Sequence, residues 1–303
     1  MKKKTILSMC GVVVVSTLVS CGLQGGQKAW ANESVEAQEG LDQTETTLTD
    51  DAENTDFSNA LEAAETTNAN SRETSNLELP AFRHDSGEKI LQREGYTVSY
   101  NKTTRQPNWV AWHLTADHVD GPYKRKGVSF REDEEVAEPR ATNADYTSSG
   151  YDRGHMCPSG DCRWSKTAQQ ESFLFTNVCP QVHGLNAGDW NEMEQQCRTW
   201  AERYGDLYIV CGPVLFGKSR HKTIGRNKVV VPEAFFKVVL RAGSDTAAIG
   251  FIYRNQSGNR PKGDYVNSID EVERITGYDF FPQLPDRVER RVEAEADIEA
   301  WWH

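Results

Sequence analysis

The sequence predicts an α+β fold for its larger part, a central and largely antiparallel sheet with flanking helices. Three observations carry that expectation. Short runs of branched and aromatic residues, bounded by Gly, Pro or Asn, recur from Gly95 to Tyr253 and read as strands. Between them Trp190, Met193, Cys197, Trp200 and Ala201 recur at three- and four-residue steps, the apolar stripe of an amphipathic helix. No repeat, coiled-coil heptad or nucleotide-binding glycine loop interrupts the pattern.

The chain opens differently. Three lysines, an apolar run from Ile6 to Val19 and a cysteine framed by small residues read as an export signal whose core is short for a bilayer span. Leu18-Val19-Ser20-Cys21 resembles the bacterial lipobox. Residues 1–20 are therefore expected to be a lipoprotein signal peptide and Cys21 the lipidated first residue of the mature chain. The protein is then exported and anchored to a bacterial membrane on its extracytoplasmic side, periplasmic or at the cell surface. Residues 21–79, rich in Glu, Asp, Thr, Asn, Ala and Gln, predict an acidic disordered tether, and residues 80–303 the folded domain. Thirteen acids against two bases between Lys28 and Glu78 match the formal net charge of −11 for all 303 residues, whereas Leu79 to His303 carries 29 bases and 32 acids. The acidity belongs to the tether. A near-neutral domain can still meet a polyanion through a local basic cluster.

Within the domain, alternation on both sides of Pro107-Asn108 predicts a strand pair, in which His113 reads as a structural residue. Gly121 to Gly127 encloses Lys124, Arg125 and Lys126 between turn residues, a phosphate-contacting loop as readily as a solvated one. The acidic run Glu132 to Glu138 is expected to face solvent, and Phe173 to Val178 to form a buried strand closed by Pro180. After the helix that starts near Trp190, strands are expected at Leu207 to Cys211, Lys228 to Val231, Ala234 to Leu240 and Thr246 to Tyr253, then a helix at Ser268 to Arg274.

Of seven cysteines, Cys10 lies in the signal and Cys21 at its end, leaving Cys157, Cys162, Cys179, Cys197 and Cys211. An odd number leaves at least one thiol free or paired outside the chain. The spacing of Cys157 and Cys162 admits zinc, but no second tight Cys/His pair accompanies it, and buried thiols or one disulfide are the plainer reading.

The chemistry concentrates between Tyr151 and Trp200. Asp152-Arg153-Gly154-His155 places an imidazole and a guanidinium two residues apart, a neutral base beside a phosphate fork. Asn186 is followed at eight and twelve residues by Glu194 and Arg198, which helical periodicity brings towards one face. An ordinary surface ion pair is the bland account of Glu194 and Arg198.

These residues resemble the DNA/RNA non-specific endonuclease family, ββα-metal nucleases with a DRGH motif that include secreted sugar-non-specific and mitochondrial enzymes. The tetrad is complete, and so is a second pattern of Asn177, Pro180, Gln181, Leu185-Asn186, Gly188, Trp190, Glu194 and Arg198. The likeness extends more loosely from Tyr100 to Pro285. It implies a ββα-metal core in which His155 is the general base and Asn186 the direct ligand to Mg2+, with Mn2+ as a substitute. It further implies that Glu194 orders water on the metal, that Arg153 and Arg198 hold phosphates, and that Asn177 belongs with this catalytic group. Asp152 and Gln181 fall to substrate binding, as does an upstream arginine, Arg125, with Arg131 or Lys124 as alternatives. The implied partners are DNA and RNA substrates, the membrane through the lipid anchor, and a second copy of the chain, since many members are homodimers. The expected function is a metal-dependent endonuclease hydrolysing DNA and RNA with little sequence preference. Two rivals stand beside it, a non-catalytic surface lipoprotein that captures nucleic acid and a phosphodiesterase for small or lipid-linked phosphates.

Overall fold

A computed structural model of the chain describes residues 76–81, 88–217 and 220–302. The signal, Cys21 and all but the last residues of the tether lie outside the described residues. Leu79 and Ala81 are fastened to the far end of the domain: the Leu79 carbonyl accepts from Gln283 at 3.1 Å, and the Ala81 N–H donates to Asp279 at 2.8 Å.

Eleven strands run in chain order among the described residues: β1 (Glu88–Gln92), β2 (Thr97–Asn101), β3 (Gln106–Leu114), β4 (Asp152–His155), β5 (Val178–Gln181), β6 (Leu207–Val214), β7 (Thr223–Ile224), β8 (Val229–Val230), β9 (Ala234–Arg241), β10 (Ala247–Arg254) and β11 (Val266–Asn267). Seven form one antiparallel sheet in the order β1-β2-β3-β6-β9-β10-β11. β4 and β5 make a separate antiparallel ribbon, and β7 and β8 a smaller one. The helices are α1 (Ala116–Val119), α2 (Asn143–Tyr146), α3 (Lys166–Glu171), α4 (Trp190–Tyr204), α5 (Ile269–Thr276) and α6 (Asp286–Ala294).

The sheet is covered on both faces, and strand alternation shows how. On β9, Phe235 meets Trp190 of α4 with ring centres 5.6 Å apart, whereas the next residue, Phe236, meets Phe280 at 5.4 Å beyond the end of α5. On β10, Phe251 faces Trp200 of α4 and Tyr253 faces Trp190. All eight residues of β9 are consequently buried, which its near-continuous apolar sequence anticipates. Truncating an aromatic such as Trp190 to Ala would cost about 3–5 kcal/mol in so closed a core. The stripe read from sequence on α4, Trp190, Met193, Cys197, Trp200 and Ala201, is its buried face.

Three expectations change. Phe175–Asn177 forms a 3-10 turn, and the strand begins only at Val178 and includes Pro180. β5 has a single partner strand, so the missing N–H of Pro180 leaves no ladder unfilled. β6 runs on through Pro213, because β3 pairs with it only as far as Cys211 and one edge is open beyond. The acidic run does not wholly face solvent: Asp133 is buried, bonded to Arg93 at 2.6 Å and to Thr176 at 2.7 Å, which together satisfy its charge. His113 pairs with Asp206 at 2.7 Å and stacks on Tyr208. All five described cysteines are buried free thiols, with the sulfurs of Cys157 and Cys162 3.7 Å apart. Among the described residues no helix is long and apolar enough to cross a membrane.

Candidate active site

β4, β5 and α4 form a ββα unit around the conspicuous tetrad. The ribbon registers Asp152 on Gln181, Gly154 on Cys179 and His155 on Val178. Gly154 is required by the close approach: a Cβ there would stand 2.2 Å from the Gln181 side-chain oxygen. The chain after His155 is pinned by Asn177, whose side chain accepts from the Cys157 N–H at 2.9 Å and donates to the carbonyls of Cys157 and Ser172, both at 2.8 Å. Trp190, the first residue of α4, donates its indole N–H to the His155 carbonyl at 3.2 Å. The imidazole thus projects from a strand end held by backbone bonds on both sides.

Its surroundings make it a neutral base. The ring packs against Phe130 at 5.0 Å and edge-on to Phe173 at 4.9 Å, and its Nε2 is buried without a hydrogen-bond partner. Burial, with Arg125 beside it, pulls His155 down to about 3, so the unprotonated nitrogen is available across the neutral range.

His155 opens into a cleft of 430 Å³ whose walls include Lys124, Arg125, Arg163, Glu194 and Arg198. Arg198 donates to Asp161 at 2.9 Å, and the other oxygen of Asp161 accepts from the Trp112 indole at 3.1 Å. Lys237, wholly buried at the middle of β9, lies 4.5 Å from the Trp190 ring centre and 5.0 Å from that of Trp112, with no hydrogen-bond partner. Two acids and two bases thus meet at this wall, Glu194 and Arg198 lining the cleft and Asp161 and Lys237 buried behind them. Burial pushes Glu194 up to about 7, Lys237 and Arg198 pull it down, and Asp161 adds to the rise. Burial works against the Lys237 charge, but Cys211, Cys197, Glu194 and Asp161 more than offset it and raise the ammonium above its ordinary value.

The residues singled out in the sequence divide into groups. His155, Arg125, Glu194 and Arg198 share the cleft, with Lys124 beside Arg125, whereas Arg131 lines a different hollow. Arg153 shares Phe130 with His155, being 5.9 Å from that ring centre and 5.6 Å from Tyr146, while its guanidinium donates to Asn143 at 2.8 Å. Asn186, in the turn before α4, donates its amide to Asp152 at 2.9 Å, and the same carboxylate oxygen meets His183 at 2.8 Å. Asn177 and Gln181 are wholly buried. Asn177 spends its side chain on backbone, and Gln181 lies under Gly154, so neither reaches the cleft as sequence reading placed them. Arg163, Asp161, Phe130 and Lys237 were not legible as site residues. Lys237 alone left a signal, a lysine inside the apolar run Phe235 to Leu240.

Comparisons with known proteins point to one family. The family model described as DNA/RNA non-specific endonuclease matches residues 73–287. Mitochondrial endonuclease G of Homo sapiens is 35% identical over 209 residues, covering 65% of this chain and 70% of that protein. The mitochondrial nuclease EXOG of Danio rerio is 36% identical over 215 residues, covering 66% of this chain but 63% of its own length. A chain in the crystal structure of an EndoG/EndoGI complex superposes with a TM-score of 0.63 at 31% identity, over 68% of this chain and 89% of that one. Both named relatives are mitochondrial proteins, which overturns the expectation of an exported, lipid-anchored bacterial location.

Proposed function

The chain belongs to the DNA/RNA non-specific endonuclease family, and on that footing we propose that it is a divalent-metal-dependent endonuclease that hydrolyses phosphodiester bonds of DNA and RNA with little base preference. The observation that supports this best is the cleft itself: a neutral imidazole with an unpartnered nitrogen beside three arginines and a lysine.

The donor set suits a hard cation. Asn186 spends its amide nitrogen on Asp152, and its carbonyl oxygen accepts no hydrogen bond among the described residues. Asn186 would hold the ion and Glu194 would order water around it; magnesium, which keeps most of its water and needs few protein ligands, fits so sparse a set, with manganese as a substitute. When bound, the cation supplies charge neutralisation at the phosphorus and at the departing 3′-oxygen.

The chain's own groups do the rest. Arg125 and Arg198 fork onto oxygens of the scissile phosphate, and Arg153, stacked near Phe130 and Tyr146, takes a neighbouring one. His155 accepts the proton of a water at Nε2, and the resulting hydroxide attacks phosphorus in line with the 3′-oxygen. The arriving phosphate places negative charge beside the imidazole and strengthens it as a base when it is needed. Asp152, Asn177 and Gln181 are positioning residues here. With no base-reading module among the described residues, phosphate contacts dominate and affinity falls steeply with salt.

Digestion of a supercoiled plasmid and a single-stranded RNA, side by side in magnesium and in excess chelator, tests the reading. Both are expected to be cut with magnesium and neither with chelator. Cleavage of one polymer alone removes the breadth, and binding without cleavage in any divalent metal leaves a nucleic-acid-capturing protein instead.

A further inference from the structure

A second concentration of charge lies on the last two helices, and none of its residues lines the cleft. Asp270 and Glu273 stand one turn apart on α5, and Glu289 and Glu293 one turn apart on α6, so each pair shares a helix face. Gly277 closes α5 at a φ of 70°, and the turn it opens supplies Asp279. Carboxylate oxygens of Asp270, Glu273 and Glu293 lie within 4.8 Å of one another, as do those of Asp279, Glu289 and Glu293. Glu293 belongs to both triads.

Glu293 is the informative member. It is 8% exposed, and its Oε1 is buried with no hydrogen-bond partner. Of the nearby bases, Arg274 serves Glu271, Arg290 faces Asp286, and Arg291 donates to the Thr246 carbonyl. Among the described residues no hydrogen bond offsets the burial of this carboxylate oxygen, which lies among four other acids.

We propose that Asp270, Glu273, Asp279, Glu289 and Glu293 form a calcium site that clamps α5, the turn after it and α6 together. Donors of oxygen alone select a hard cation over zinc or copper. Five carboxylates from three segments, with the adaptable reach of long side chains, match the roughly six to eight oxygen ligands that calcium accepts better than the tight octahedron of magnesium. The site is independent of the nuclease reading.

Calcium titration of the full-length Asn186→Ala protein, from which the ligand proposed for the nuclease's cation has been removed, tests it by calorimetry and thermal unfolding. One calcium per chain is expected, with a rise in Tm of roughly 5 °C at saturation. The rise should fall below about 1 °C when Glu293→Gln or Asp270→Asn is added. Because Gln relieves repulsion without changing shape, the Glu293→Gln protein should melt in chelator no lower than its parent, which separates loss of binding from misfolding. An undiminished calcium response in both variants overturns the site. So does a parent that ignores calcium and gains stability only as pH falls, since the carboxyls then share protons instead of a metal.

Discussion

Two hollows meet the same aromatic ring. Phe130 lines the larger, of 820 Å³, and packs on His155, which lines the smaller, of 430 Å³. The larger carries Glu132, Asp133, Glu134, Glu135 and Glu171 against Arg93, Arg131 and Arg140, so acids outnumber bases, and two of the arginines are spent: Arg93 on Asp133 and Glu135, Arg140 on Glu132. The smaller carries Lys124, Arg125, Arg163 and Arg198 against Glu194, and of these bases only Arg198 has an ion-pair partner among the described residues. Size therefore does not mark the site. Uncompensated positive charge beside an unpartnered proton acceptor does, and it is what an anionic polymer requires.

That contrast can be broken in graded steps. Asn186→Ala should have the largest effect, lowering kcat on plasmid by roughly 10³-fold while leaving the thermal midpoint nearly unchanged in chelator. An unchanged dependence of activity on magnesium concentration would mean that the ion is held elsewhere. Arg125→Ala should lower kcat/KM by roughly 30-fold and reduce the salt dependence of DNA binding by about one counterion. An unchanged salt slope would remove Arg125 from the phosphate contacts. The pH profile comes next. His155 stays neutral well below pH 6, so the acid limb of kcat/KM should belong to Glu194, whose carboxylate is lost as pH falls through about 7. At low magnesium, activity should drop roughly tenfold per pH unit below that point. Lys237→Met, which removes a charge that pulls Glu194 down, should move the limb to higher pH. The smallest effect belongs to the acidic hollow, where Glu132→Gln should change kcat/KM by less than about twofold.

The ββα unit was legible because its signals are local. The tetrad occupies one short strand, and Glu194 and Arg198 stand one turn apart on α4, so chain distance stood in for space; Asn186 lies before that helix, across a non-helical Gly188, and does not line the cleft with them. Asp161 and Lys237 were not, because they reach Arg198 and Glu194 only when the loop after β4 and the centre of β9 come together behind the cleft. Asn177 and Gln181 show a different limit. Their place in the second motif joined Asn177 to the catalytic group and Gln181 to the substrate-binding residues, but a pattern does not distinguish a residue that touches substrate from one that holds the backbone of the residue that does. The strand expected at Phe173 to Val178 began five residues late for the same reason: Asn177 fastens that stretch as a turn, and apolarity alone could not reveal its bonds to Cys157 and Ser172.

The most direct test measures two quantities on His155→Ala beside the parent: magnesium-dependent nicking of supercoiled plasmid, and affinity for duplex DNA in excess chelator. Affinity within about twofold of the parent, with turnover lower by at least roughly 10³-fold, is the expected result. Turnover within tenfold of the parent would contradict the assignment of the base and with it the account of the cleft.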